Sequence, residues 1–313
     1  MKPLVVVNPR AAGGATAKNF AAMRTAMERA LGPVEVAMTH RQGHGTELAR
    51  DGAIAGHPLV IAVGGDGTLN EVVNGLMAAQ QARGGSQPIT TELGLIAQGT
   101  GGDFRKTLSL DHRPSAYLAA IASGRRRALD VGKFTGGGKI AHYFVNVLSV
   151  GMGGLVDRYV AGASRTLGAT ATYFRASARA MVNARLGNVV CKVTRSGVTE
   201  EHRIRSFMIA ICNGRYFGSG MHVAPMANLD DGAFDLVALG ATSKVGLALM
   251  AAHIYKGTHI QQPGTVHLRG EKFSLELANH DAERVYLLDV DGEPLGTLPL
   301  FVEVVPKALT LRA

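Results

Sequence analysis

Leu59-Val60-Ile61-Ala62-Val63-Gly64-Gly65-Asp66-Gly67-Thr68 is the stretch that decides the fold of this chain. Five consecutive apolar residues predict a strand buried on both faces. The strand runs into a glycine-rich turn with one carboxylate, and the turn opens into a helix, because Leu69, Val72, Val73 and Leu76 recur at helical spacing. Thr68-Leu69-Asn70-Glu71 fits a capping box, which places the helix start at Thr68. Glycines let a backbone approach a phosphate closely, a helix N-terminus offers N–H donors, and the Asp66 carboxylate can face a metal or its waters. The stretch lacks the GK[ST] ending of one well-known phosphate loop and the GxGxxG spacing of another. On these residues alone, phosphate binding competes with a plain turn after a buried strand.

Outward from it, the first ~125 residues alternate strand and helix, as a mostly parallel sheet with helices on both faces requires. Strands are predicted at 4–7, 34–38, 59–63 and 93–97, with a helix through Phe20, Met23, Met27 and Ala30. Each strand ends in a polar or glycine-rich turn: Asn8-Pro9-Arg10 with Gly13-Gly14, Thr39-His40 with His44-Gly45, Gly64-Gly65-Asp66, and Gln98-Gly99-Thr100-Gly101-Gly102-Asp103. In a parallel sheet all four fall on one edge, where ligands of open α/β sheets bind. That convergence favours a nucleotide site.

From about residue 128 the pattern changes to short strands with turn signals, an antiparallel sandwich, interrupted by one helical region at 155–186. The strands expected there are 128–134, 140–150, 188–194, 204–212, 234–239, 265–269, 273–277, 284–288 and 300–305. The boundary falls near Gly124-Arg125-Arg126-Arg127. This gives a nucleotide-binding α/β domain at 1–126, with the tail 306–313 packing back on it, and a substrate domain at 127–305. Asp289-Val290-Asp291-Gly292-Glu293 opens like an EF-hand loop but lacks its remainder. It reads either as an Asp-Gly hairpin turn or as a carboxylate pair, Asp291 and Glu293, serving proton transfer and a metal. Asp230-Asp231-Gly232 is a turn or, through Asp231, a metal ligand. Gly136-Gly137-Gly138-Lys139 and Gly151-Met152-Gly153-Gly154 are read as turns.

The chain has 313 residues, 46% of them hydrophobic, and a net charge of +9, which calls for an anionic partner: nucleic acid, acidic lipid or a phosphorylated small molecule. Nucleic acid is disfavoured, since there is no Trp, aromatics are 5% and no basic-aromatic strip occurs. The region 155–186 carries Arg158, Arg165, Arg175, Arg179 and Arg185 against a single acid, Asp157. It suits either an anionic lipid surface or a solvated helix face. No apolar run approaches the ~18 residues of a membrane span. Cys191 and Cys212 sit on separate apolar runs without metal spacing and are read as buried small hydrophobes in a reduced, cytoplasmic protein.

In this order the motifs resemble those of bacterial lipid kinases of the diacylglycerol kinase catalytic-domain family, related to sphingosine and ceramide kinases and to NAD kinases. The resemblance is carried by Asn8-Pro9 with Gly13-Gly14, Thr39 with His44, Gly64 through Val72, Gly99-Thr100 with Asp103-Phe104, Asp230-Asp231-Gly232 and Asp291-Gly292-Glu293. It implies an NAD kinase-like α/β domain followed by a β-sandwich, and ATP- and Mg²⁺-dependent phosphorylation of a lipid hydroxyl, diacylglycerol first, in a cleft between the domains. By matching positions, Asn8, Pro9, Arg10, Thr39, His44, Gly64, Gly65, Gly67, Thr68, Thr100 and Asp103 line the nucleotide. Asp66, Asp103 and Glu293 belong to the magnesium network, Asp291 is the general base, and Asp231 matches a structural metal site of some members. The resemblance also implies a membrane-resident lipid substrate and peripheral attachment at the inner membrane face, and a homodimer is compatible with it. One departure stands out: Gly102 occupies a position where the family carries Asn. Ceramide or a sphingoid base is the alternative acceptor, NAD a more distant one, and a catalytically silent lipid- or nucleotide-binding regulator the alternative of another class.

Overall fold

A computed structural model describes residues 1–84, 89–99, 101–136, 139–163, 169–241, 243–278 and 282–313, and within them all side chains except those of residues 139, 140, 169, 170, 293 and 294. The chain forms two compact units, one of Met1–Val131 with Pro306–Ala313 and one of Gly132–Val305. Of the residues singled out in the sequence, Thr100, Gly137-Gly138 and Arg165 lie outside the described residues, as does the Glu293 side chain.

The first unit runs β1 (Leu4–Val7), α1 (Ala15–Leu31), β2 (Glu35–Met38), α2 (His44–Ala55), β3 (Leu59–Gly64), α3 (Asp66–Ala82), β4 (Glu92–Ala97), α4 (Asp103–Thr107) and α5 (Pro114–Ala122). Its four strands are parallel in the order β2-β1-β3-β4. Every residue of β1, β3 and β4 is buried, which explains why residues 4–7, 59–63 and 93–97 read as apolar runs. The chain leaves β1 toward β2 on one side and returns to β3 on the other, so the sheet changes direction between β1 and β3. That crevice, at the carboxyl ends of the strands, is where such sheets bind ligands. The tail adds a further parallel strand, with Leu311 opposite Leu93. Glu92 anchors it through Arg312 at 2.5 Å and also pairs with Arg126. Burial raises the Glu92 pKa, but the two guanidinium bonds outweigh it and hold the carboxyl below its ordinary value.

The second unit contains β6 (Lys139–Phe144), β7 (Val147–Gly151), α6 (Met152–Ala161), α7 (Ala169–Asn183), β8 (Gly187–Arg195), β9 (Val198–Ser206), β10 (Met208–Cys212), β11 (Phe234–Ala238), α8 (Lys244–Lys256), β12 (Val266–Gly270), β13 (Lys272–Leu277), β14 (Leu287–Val290) and β15 (Glu293–Thr297). The strands β5 (Arg126–Gly136) and β16 (Leu300–Arg312) each contribute to both units. One antiparallel sheet has the order β12-β11-β10-β7-β14-β15, and β8, β9, β13 and β16 pair antiparallel in a second. Phe144, Leu148, Cys191, Ile209, Phe234, Phe273, Leu288 and Val302, drawn from both sheets, fill a common core. Burial pushes the Cys191 thiol up to about 12 and the Cys212 thiol well above its ordinary value, as expected of inert core cysteines.

Several elements differ from the sequence expectation. The run 140–150 is two strands, broken at Val145-Asn146, and 204–212 is likewise split at Phe207. The expected strand 284–288 begins only at Leu287. The helices α2, α5 and α8 and the strand β15 were not expected. In α8 the buried residues Leu247, Met250 and Ile254 are interleaved with exposed Val245 and Leu249, so no one-sided apolar period marks the helix.

Candidate functional site

The first unit assembles its polar turns as predicted from the parallel order. Asn8, just beyond β1, donates from Nδ2 to Thr68 Oγ1 at 3.1 Å across the β1–β3 crevice. Its Oδ1 accepts the Arg10 N–H at 3.0 Å, which shapes the Pro9-Arg10 turn. A Cβ on Gly64 would stand 2.3 Å from Thr68 Oγ1, so this hydroxyl can reach Asn8 only over a glycine. The turn after β4 closes on the turn after β3: Gln98 N–H donates to Gly64 O at 2.7 Å, and a Cβ on Gly99 would lie 3.1 Å from Gly65 Cα.

Helix α3 starts at Asp66, with Gly65 as its N-cap, two residues ahead of the expected start at Thr68. The capping box does not form. Thr68 is engaged by Asn8, and Glu71 reaches away from its own helix to accept the N–H groups of Gly43 and Gly45, both at 2.8 Å. Glu71 thereby caps the N-terminus of α2, a negative charge where the helix dipole favours one. The capping pattern named the right residue with the wrong partner. Thr39 is buried at the end of β2, with its N–H bonded to Val7 O at 2.8 Å. His44 opens α2, stacks on His40 with ring centroids 5.4 Å apart, and its Nδ1 lies 3.2 Å from the His40 N.

Asp66 and Asp103 come together at the ends of β3 and β4. Asp103 N–H donates to Asp66 Oδ2 at 3.3 Å. An ideal Cβ on Gly101 would stand 3.6 Å from Asp66 Oδ2 and 4.0 Å from Asp103 Oδ2, so both carboxylates border one small space that the glycine leaves open. Asp103 Oδ1 accepts from Lys106 Nζ at 2.7 Å, a partner that sequence reading did not single out although it lies three residues on. Gly102 caps α4 in the left-handed region, at φ +53°. Asn is the side-chain-bearing residue that best tolerates that conformation, so glycine here preserves the backbone turn and removes only the amide.

Beside Gly99 a cavity of about 340 Å³ is lined by Asn19, Gln98, His112 and Tyr117. His112 Nδ1 and the Tyr117 hydroxyl are 2.9 Å apart. Burial lowers the His112 pKa, and the nearby Arg105 and Lys106 charges lower it further. Burial pushes the Tyr117 hydroxyl up to about 12, with Arg105 opposing and Asp66 reinforcing the shift. Both groups therefore stay neutral at pH 7.

In the second unit, Asp291 and Gly292 form the hairpin tip between β14 and β15, with φ +50° and +88°, the positive pair that a tight Asp-Gly turn uses. The Asp291 carboxylate points inward and is 6% exposed. Oδ2 accepts the Val145 N–H and Oδ1 those of Asn146 and Val147, all at 3.0 Å. The hairpin turn is therefore formed, and its Asp291 carboxylate is turned onto main-chain donors. Asp231, the candidate structural metal ligand, pairs with Arg269 at 2.5 Å and accepts the Ala233 N–H at 3.3 Å. No group of three or more His, Cys, Asp or Glu side chains that could hold a metal ion occurs among the described residues.

Sequence reading missed a buried acid pair. Asp289, two residues before the hairpin tip, hydrogen-bonds to Asp157 of α6 and accepts the Gly292 N–H at 2.9 Å, with Ser149 Oγ at 3.3 Å. Burial pushes both carboxyls above their ordinary value, and for Asp289 the negative charges of Asp157 and Asp291 add to it. Between the unfolded carboxyl range near ~4 and the raised native pKa, the folded protein binds more protons than the unfolded chain, so stability falls as pH rises through that window. Asp289→Asn stays neutral throughout and keeps an oxygen that accepts the Gly292 N–H. Its thermal midpoint is expected to decline less than that of the wild type between pH 5 and 9. Parallel declines would show that the pair carries no shared proton.

Comparison with known proteins agrees with this architecture. Residues 2–134 match the diacylglycerol kinase catalytic domain, and residues 146–313 match the YegS C-terminal NAD kinase beta sandwich-like domain. A diacylglycerol kinase of Bacillus subtilis (strain 168) is 26% identical over 296 residues, covering 94% of this chain and 90% of that protein. A YegS-like lipid kinase of Chromohalobacter salexigens is 29% identical over 280 residues, covering 89% and 83%. A solved structure of a diacylglycerol kinase from Bacillus anthracis str. Sterne shares the fold, with a TM-score of 0.69 at 21% identity over 99% of this chain and 96% of that one. The chain belongs to the family defined by the YegS C-terminal NAD kinase beta sandwich-like domain, carries a match to the diacylglycerol kinase catalytic domain ahead of it, and is a lipid kinase.

Proposed function

We propose that this lipid kinase transfers the γ-phosphoryl group of ATP to the hydroxyl of a diacylglycerol. The observation that carries the reading is the convergence of Asp66 and Asp103 on the space beside Gly101, at the edge where the glycine turns after β3 and β4 meet. Turn backbone and the α3 N-terminus suit phosphate oxygens. The two carboxylates suit magnesium, which takes one or two carboxylates together with substrate phosphates and supplies charge neutralisation when bound. Asn8, Arg10, Thr39, His44 and Thr68 belong to the same edge and are the proposed nucleotide-side residues, with Thr100 assigned by its motif position.

Asp291 and Glu293 are the proposed acceptor-side carboxylates. Three main-chain donors fix the orientation of the Asp291 carboxylate. A phosphoryl transition state with little bond formation to the attacking oxygen asks for positioning more than for a strong base. The diacylglycerol assignment is supported by relatives of that name.

The test is transfer of labelled γ-phosphate from ATP, with and without Mg²⁺, to diacylglycerol, ceramide, sphingosine and NAD. Label in diacylglycerol alone, dependent on Mg²⁺ and reduced about 10²- to 10³-fold in Asp66→Asn, is expected. Label in ceramide, sphingosine or NAD instead would replace the acceptor, and an Asp66→Asn enzyme of undiminished rate would remove Asp66 from the site.

A further inference from the structure

The helices α7 and α8 pack on one another and carry an unusual outward face. On α7 the exposed apolar residues Phe174, Ala178 and Val182 follow one another at four-residue spacing. On α8 Val245, Ala248, Leu249 and Ala252 form a second exposed stripe. Phe174, Val182, Val245 and Leu249 are 75%, 67%, 72% and 71% exposed, far beyond scattered surface apolars in a folded protein. Neither helix contains an Asp or Glu, while Arg175, Arg179, Lys244 and Lys256 edge the stripes.

Between the C-terminal end of α7 and the start of α8 lies a cavity of about 740 Å³. Arg185, Arg205 and Lys244 line it with Asn183, Asn188 and Tyr159, and among the described residues no carboxylate does. Lys244 is fixed there by a bond from Nζ to the Val182 carbonyl oxygen. A cation in the first turn of a helix opposes the helix dipole, and an anionic ligand would offset that penalty. Arg179 is stacked over the Tyr159 ring, 4.4 Å from its centroid, which adds a further positive charge near the rim.

We infer that this face docks on a bilayer of anionic phospholipid: the two apolar stripes enter the interface, and the cavity receives a headgroup phosphate. Apolar bulk beside clustered Arg and Lys, without acids, is the chemistry of a peripheral membrane surface. A soluble acidic protein would match the charge but leave the stripes wet, and a second copy of this chain would bring its own cations against Arg185, Arg205 and Lys244. The inference rests on the reading that the acceptor is a bilayer lipid.

The test is sedimentation of the full chain with phosphatidylcholine vesicles, with and without phosphatidylglycerol, alongside turnover of a short-chain, water-soluble diacylglycerol in the absence of vesicles. Wild type is expected to co-sediment with the anionic vesicles and to be released by salt. Leu249→Ser with Val245→Ser is expected to lose at least about tenfold in partitioning. Arg185→Gln with Arg205→Gln is expected to lose on the order of fivefold per arginine on anionic vesicles only. All of these residues are exposed, so folding and soluble turnover stay at the wild-type level. Equal partitioning of all forms, or a wild-type dimer that the serine variants dissolve in the absence of lipid, would overturn the inference. Vesicle binding without turnover of any soluble acceptor would leave the docking face in place and defeat the acceptor reading instead.

Discussion

Asp291→Ala is expected to destabilise the second unit by about 3–6 kcal/mol, because three buried main-chain N–H groups lose a charged acceptor at about 1–2 kcal/mol each. The donors are those of Val145, Asn146 and Val147, and alanine tolerates the φ of +50° at this position less well than aspartate. The break between β6 and β7 lies at these residues, so losing the carboxylate frees the segment that joins the two strands. Loss of turnover in the alanine variant therefore reports a damaged unit as readily as a missing base. Asp291→Asn separates the two effects. Asn tolerates positive φ and keeps one acceptor oxygen, so it is expected to cost only about 1–2 kcal/mol while turnover falls about 10²- to 10⁴-fold through loss of the base. Thermal midpoint and phosphate transfer, measured on both variants, check this. An alanine variant that melts with the wild type would show that the clamp contributes nothing, and an asparagine variant of full activity would remove Asp291 from proton transfer.

Glu71→Ala is expected to cost about 2–3 kcal/mol, since two charge-assisted bonds to Gly43 and Gly45 and the charge at the α2 N-terminus disappear together. Glu71 is only half-buried, so water takes over part of the lost bonding and keeps the cost below that at Asp291. Glu71→Gln retains one acceptor oxygen and is expected to recover roughly half. The turn held by Glu71 also bears His44, so the alanine variant should bind nucleotide more weakly even where it is folded. Denaturant midpoints and exchange of the Gly43 and Gly45 amides are the measurements. Unchanged amide protection in Glu71→Ala would mean that the turn holds its shape without the carboxylate.

Both residues were visible in the sequence, and both were given only part of their role. Glu71 was assigned to Thr68 because a capping box is a local pattern, whereas its carboxylate serves a turn 26 and 28 residues earlier. Asp291 was read as either a hairpin residue or a chemical one, and the alternation of faces in a strand pair gives no sign that its side chain turns inward onto residues 145–147. Asp157 and Asp289 are 132 residues apart, so their contact has no local signature at all.

What the sequence determined by itself is the parallel α/β unit and the edge that carries its polar turns. Buried parallel strands must be apolar on both faces, and their carboxyl ends must lie together once the strands are parallel. That rule places Asn8, Asp66 and Asp103 at one edge. The family pattern added the roles. The tertiary structure alone decided which carboxylate bonds to which amide, that Asp231 is met by Arg269, and that α8 exists with an apolar face turned to solvent. These depend on contacts between residues distant in the chain. In α8 the apolar residues lie on both the inner and the outer face, so the period that betrays an ordinary surface helix is absent from the sequence.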